Sequence, residues 1–142
     1  MYKIASFLIA CLIIANTATA AENHNQDITK ETLLKTDSSW EGTKYAPYPV
    51  GTPQITMLRV TVKPNTVLKW HTHPCISAVY MTEGNVTLVL KKTGQRKTFN
   101  KGDSFTDTVD IEHQGQSGTS GAEMLVFFAC ADKIPLTVNS AH

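Results

Sequence analysis

From residue 55 onward, apolar and polar positions alternate in short runs. Residues 55–62 are rich in β-branched side chains, and Leu58, Val60 and Val62 share one parity. That period of two is the signature of a strand with one buried face. Lys63-Pro64-Asn65 ends the run, because proline brings no amide hydrogen to a ladder and asparagine accepts turn geometry. Further strands are predicted over 66–73, 76–82, 86–90, 95–99, 104–108, 123–129 and 136–138. Between them Glu83-Gly84-Asn85, Thr93-Gly94 and Lys101-Gly102-Asp103 read as turns, and Gly115, Gly118 and Gly121 as punctuation of a loop. A first short strand is expected at 32–36, followed by a stretch holding Pro47, Pro49, Gly51 and Pro53 that excludes regular structure. The total is about nine short strands spaced roughly 8–12 residues apart, which predicts an all-β sandwich or barrel. Val79, Met81, Leu88, Val126 and Phe128 are its expected core.

The first twenty residues follow a different pattern. Lys3 precedes an almost wholly apolar run over 4–15, and Ala18-Thr19-Ala20 supplies a small-x-small cleavage pattern. This reads as a secretory signal peptide cleaved near Ala20/Ala21, with an apolar run too short to span a bilayer. The chain then divides into a leader (1–20), an N-terminal arm with a first edge strand (21–49), a barrel (50–138) and a short tail (139–142). Export to a periplasm or the exterior is the expected localisation. The 13 basic and 12 acidic residues nearly cancel, and loss of Lys3 with the leader balances them. No basic block is present, which argues against nucleic acid and, after cleavage, against an anionic membrane as partner. Cys75 and Cys130 remain after cleavage, and in an oxidising compartment they form either one disulfide or two buried thiols.

Three of the five histidines carry the candidate chemistry: His71, His73 and His113. On a strand, side chains two apart project to the same face, so His71 and His73 point together. Two imidazoles at that spacing can grip one ion, with metal–nitrogen bonds of about 2.0–2.2 Å, and His113 is the other histidine in the predicted barrel. His24 lies in the polar arm, and His142 is the last residue, expected to fray.

The spacing around these histidines resembles the two motifs of the cupin superfamily. The first, G-x5-H-x-H-x3,4-E-x6-G, aligns with Asn65, His71, His73, Ser77 and Gly84; the second, G-x5-P-x-G-x2-H-x3-N, aligns with Gly102, Thr108, Asp110, His113 and Ser117. The resemblance covers roughly residues 50–138 and implies a small, single-domain cupin: a double-stranded β-helix, or jelly-roll barrel. It carries over His71, His73 and His113 as metal ligands. Ser77 stands where the family has a metal-binding glutamate, and a neutral hydroxyl is a poor ligand for a divalent ion. Three neutral histidines leave a divalent ion at a net charge of +2, which favours an anionic ligand. Asn65 replaces a glycine at a turn, a position asparagine tolerates because it accepts left-handed geometry.

The expected cofactor is a divalent transition metal, with iron, zinc, nickel, copper and manganese not distinguished by imidazole ligands. Cys75, which shares the parity of the histidine pair, together with Ser77, Arg59, Tyr80 and Glu112, completes the candidate pocket; Glu112 has the parity of an outward carboxylate. The expected function is a metal-binding cupin acting on a small molecule, with a dioxygenase-type reaction as one reading and non-catalytic binding of a metal or small ligand as the other. Exposed strand edges make a homodimer a further expectation.

Overall fold

A computed structural model describes residues 28–140; the leader, most of the polar arm with His24, and His142 lie outside the described residues. The elements are β1 (Pro53–Val62), β2 (His71–Thr72), β3 (Ile76–Leu90), β4 (Arg96–Asn100), β5 (Ser104–Thr106), β6 (His113–Ala131) and β7 (Val138–Asn139). Among the described residues all regular structure is strand, as alternation predicts. All pairing between these strands is antiparallel.

Two long strands organise the barrel. β3 and β6 run against each other from Ile76↔Ala129 to Leu90↔His113. The register is interrupted between Met81 and Glu83 and between Gly84 and Val86. Beyond the interruption the pair acquires new neighbours. The Ile76–Tyr80 half pairs with β6 and β5, and β1 flanks β6 on its other side. The Val86–Leu90 half pairs with β6 and β4, and β2 meets β6 at His71↔His113 with β7 beyond it. The two halves share one core, in which Val79, Met81, Phe105, Met124, Val126 and Phe128 meet Val86, Leu88 and Phe99. Phe99 and Phe105 stack with centroids 3.9 Å apart. Burying each such side chain stabilises the fold by roughly 1.5–3 kcal/mol.

The sequence over-counted breaks. Glu83-Gly84-Asn85 is no turn but the kink at which β3 changes neighbours, and Gly115, Gly118 and Gly121 lie within β6. The physical reason is close approach. A Cβ on Gly84 would lie 2.0 Å from the Gly121 carbonyl oxygen, and one on Gly121 would lie 2.7 Å from that of Val62. Both glycines also have positive φ, 65° and 77°. Glycine here lets two backbones cross without ending either strand.

Other boundaries also differ. Residues 32–36 form no strand; the N-terminal segment contributes only a bridge between Ser38 and Lys44. The span 66–73 is reduced to an isolated bridge at Val67 and the two residues of β2. Pro53 belongs to a strand after all, as the first residue of β1, where a missing amide hydrogen is tolerated. Cys75 and Cys130 form a disulfide that ties the residue before β3 to the end of β6.

Candidate metal centre

His71 opens β2, His73 follows it, and His113 opens β6. The direct pairing of His71 with His113 brings the two motifs together. One ring nitrogen from each of the three histidines lies within 4.8 Å of the others. Ring centroids are 4.4 Å apart for His71 and His113, 4.9 Å for His71 and His73, and 5.2 Å for His73 and His113. His113 is 1 % exposed and His73 8 %, while His71 is half-buried.

The same hydrogen-bond pattern fixes all three rings. Nδ1 of His71 lies 2.8 Å from the carbonyl of Lys69, that of His73 2.7 Å from Leu136, and that of His113 2.9 Å from Ile111. A carbonyl only accepts, so each Nδ1 carries the proton and donates it. Each neutral ring is left with its lone pair on Nε2, the tautomer a metal needs. Nε2 of His113 is buried and has no hydrogen-bond partner, an orphan that a cation at the centre of the triangle would satisfy. The donor set therefore fits a divalent transition ion.

The turn entering β6 is held tightly. Thr108, fully buried, places its hydroxyl 2.9 Å from His113 Nδ1 and donates to the Ile111 carbonyl at 3.2 Å. The Asp110 amide donates to the His73 carbonyl. Asp110 has φ 54°, so it adopts the left-handed geometry for which the cupin motif uses glycine; Asn65, at the other substituted glycine, also has φ 54°.

A residue that the sequence reading passed over completes the group. Asp107 is 7 % exposed, and its Oδ2 lies 3.3 Å from His113 Nε2 and 3.6 Å from His73 Nε2. Its Oδ1 accepts from the Thr108 amide at 2.8 Å, its amide donates to the Ser77 carbonyl, and its carbonyl accepts the Tyr45 hydroxyl at 2.6 Å. The available signal was parity: Asp107 is two residues after Phe105, an evident core residue.

Burial, with mutual repulsion among the rings, pulls His71 and His73 below the ordinary histidine value. Burial also acts against a charged His113, but the Asp107 carboxylate outweighs it and raises that pKa. Burial alone would raise Asp107; contact with His113 and the charges of His113 and His73 hold it below the usual carboxylate range. Burial, reinforced by Asp107 and Glu41, pushes the Tyr45 phenol up to about 12, so it remains a donor.

His71, His73, His113 and Asp107, with Thr137, form the polar end of a cavity of about 190 Å³. Its remaining walls are apolar, with Leu58, Val60, Leu68, Val79, Leu88 and Val126 among them, and no lysine or arginine lines it. The other sequence candidates sit elsewhere. Cys75 is bonded to Cys130 and has no thiolate to offer. Ser77 is buried, with its hydroxyl unpartnered, and does not line the cavity. Arg59 points outward to Glu123 at 3.2 Å, and Tyr80 has the outward parity of β3. Glu112 faces out and pairs with Lys91 at 2.6 Å.

Comparison with solved structures places this architecture. Oxalate decarboxylase from Bacillus subtilis superposes with a TM-score of 0.53 at 20% identity, over 62% of this chain and 24% of its own. An oxalate oxidase gives 0.51 at 20% identity, over 60% of this chain and 45% of its own. An RmlC-like cupin from Shewanella frigidimarina gives 0.47 at 19% identity, over 56% of this chain and 68% of its own. The chain has the cupin fold. The match thus spans about a quarter of the decarboxylase and less than half of the oxidase. No family model matches the chain, and no curated protein does. The jelly roll that the resemblance implied is present, and its two histidine-bearing segments meet at one end of the cavity.

Proposed function

We propose that this cupin is an exported metal-dependent oxidoreductase of the dioxygenase type, acting on a small molecule with a largely apolar body. The observation that carries this reading is the convergence of three histidines, each with Nδ1 committed to a backbone carbonyl, at the polar end of an apolar cavity. A purely structural ion is enclosed by its ligands, whereas this one would face a space that admits a second molecule. Metal use occurs in another protein of the fold: oxalate decarboxylase from Bacillus subtilis has Mn(II) centres. A divalent ion held by His71, His73 and His113 would supply Lewis acidity and, if redox-active, the electrons of oxygen chemistry. The apolar walls would exclude water from the reacting molecule, and its acidic or enolisable group would turn toward the histidines. Export is supported by the leader-like residues 1–20 and by the disulfide, a bond that persists in oxidising compartments. Homodimer formation is supported by β1, which among the described residues pairs only with β6 and exposes Ile55 and Met57.

A second reading, a module that only holds a metal or small ligand, is favoured by the scarcity of acid–base groups along the cavity wall outside the histidine cluster. Elemental analysis of chelator-free protein beside H71A/H73A tests the shared premise; about one equivalent of metal, lost in the variant, is the expected result. Oxygen uptake with small enolisable apolar acids then separates the readings. Uptake abolished in H71A/H73A supports the enzyme. A rise in Tm with metal and no uptake supports the module.

A further inference from the structure

The cupin motif places its carboxylate ligand at the position of Ser77, on β3. A buried carboxylate nevertheless faces this centre from the adjoining strand. β5 pairs with β3 at Ala78↔Thr106, and the next residue, Asp107, bonds to the Ser77 carbonyl through its own amide. Its two oxygens are differently engaged. Oδ1 is fixed by the Thr108 amide. Oδ2 lies 3.3 Å and 3.6 Å from Nε2 of His113 and His73.

That arrangement needs a positive charge between the groups, either a metal ion or a proton on His113. The Nδ1–carbonyl bonds leave lone pairs on Nε2 of both rings, so a carboxylate oxygen beside them places like partial charges within van der Waals range inside the barrel. A buried carboxylate is tolerated when it is paired or coordinates a metal. Nε2 of His113 has no hydrogen-bond partner even though Oδ2 is 3.3 Å away. The three histidine nitrogens lie within 4.8 Å of one another, and Asp107 approaches two of them.

We propose, on the basis of the metal-dependent reading above, that Asp107 Oδ2 is the fourth protein ligand, so that the carboxylate has moved from β3 to the end of β5. The centre is then three histidines and one carboxylate, and a divalent ion carries a net charge of +1 there instead of +2. Tyr45 and the Ser77 carbonyl act as positioning groups that hold the Asp107 backbone.

The test is a titration of Co²⁺ into the metal-free full chain, followed by calorimetry and by the visible d–d spectrum. Wild type, D107N, D107A and H71A/H73A are compared. Asparagine keeps the shape and the Oδ1 bond to Thr108, so D107N separates ligation from folding. The expected result is one tight equivalent in wild type, affinity at least about a hundredfold weaker in D107N and D107A, and a d–d spectrum altered in both. Wild-type affinity and spectrum in D107N, with or without a lower Tm, would overturn the assignment and leave Asp107 a structural residue. In that case the three-histidine reading stands, because H71A/H73A still loses the metal. No Co²⁺ binding by wild type would overturn both.

Discussion

The two sides of the candidate metal centre are held in different ways. His113 and Asp107 sit in a corner closed by hydrogen bonds: Thr108 to Ile111 and His113, Asp107 to Ser77, Thr108 and Tyr45. His71 and His73 sit on an arm with only two residues of strand. That arm is fixed by its pairing with β6 and β7, by the Leu136 carbonyl on His73, and by the disulfide two residues beyond. The corner is buried, and the arm ends in the half-buried His71. A network of side-chain hydrogen bonds holds one corner, whereas a covalent link, an edge pairing and the bond from the Asp110 amide to the His73 carbonyl hold the other.

The largest test acts on the arm alone. The disulfide closes a loop of 55 residues, and its loss is expected to cost about 4 kcal/mol on the chain-entropy scale. C75A/C130A, or wild type in reductant, should show this as a lower denaturant midpoint and should also bind Co²⁺ more weakly. An unchanged midpoint would mean that edge pairing alone fixes the arm. A smaller effect is expected at the corner. T108V keeps the volume but removes a buried hydroxyl, and should cost about 1–3 kcal/mol, with Co²⁺ affinity about tenfold weaker as His113 loses its restraint. If T108V were to match wild type in both respects, the corner would owe its geometry to something other than this hydroxyl.

Acid separates the two sides by sign. His71 and His73 have folded pKa values below 6.5, so in the window beneath 6.5 the unfolded chain binds protons that the folded chain does not. Their contribution to the stability of the metal-free protein is fully present above pH 6.5 and is lost as pH falls through the folded values. His113 is raised, so its contribution is present below 6.5 and lost as pH rises through its folded value. Unfolding midpoints across pH 5–8 should therefore lose their acid-side decline in H71A/H73A and their alkaline-side decline in H113A. Equal pH profiles for the two variants would remove the distinction between arm and corner. The smallest effect is expected outside the site. Lys91→Ala breaks the exposed pair with Glu112 beside His113, and both midpoint and Co²⁺ affinity should stay at wild-type values.

Much of this was legible in the sequence because period-two burial is a local property. Val79 and Met81 on β3, and Val126 and Phe128 on β6, face inward as their parity requires. The fold class and the resemblance to cupins followed from that pattern and the histidine spacing. The glycines misled, because Gly84 and Gly121 carry the same signal in a crossing of two backbones as in a turn. What separates these cases is a contact between residues distant in sequence. Asp107 was missed for a related reason. Asp107 falls in the predicted strand 104–108 with the parity of Phe105, but parity does not say what a side chain meets, and only the approach of His73 and His113 gives it a role. The disulfide was left open between two states because cysteine spacing does not encode proximity.

The carbonyl that sets the His73 tautomer belongs to Leu136, 63 residues further along the chain. The corresponding carbonyls for His71 and His113 lie two residues from their own rings. Two of the three imidazoles can thus be set while the chain is still assembling, but the third waits until the segment leading into β7 has docked. The finished set of three tautomers therefore depends on a segment far along the chain. A chain ending before residue 136 would keep all three histidines and still lack a finished receptor for the ion.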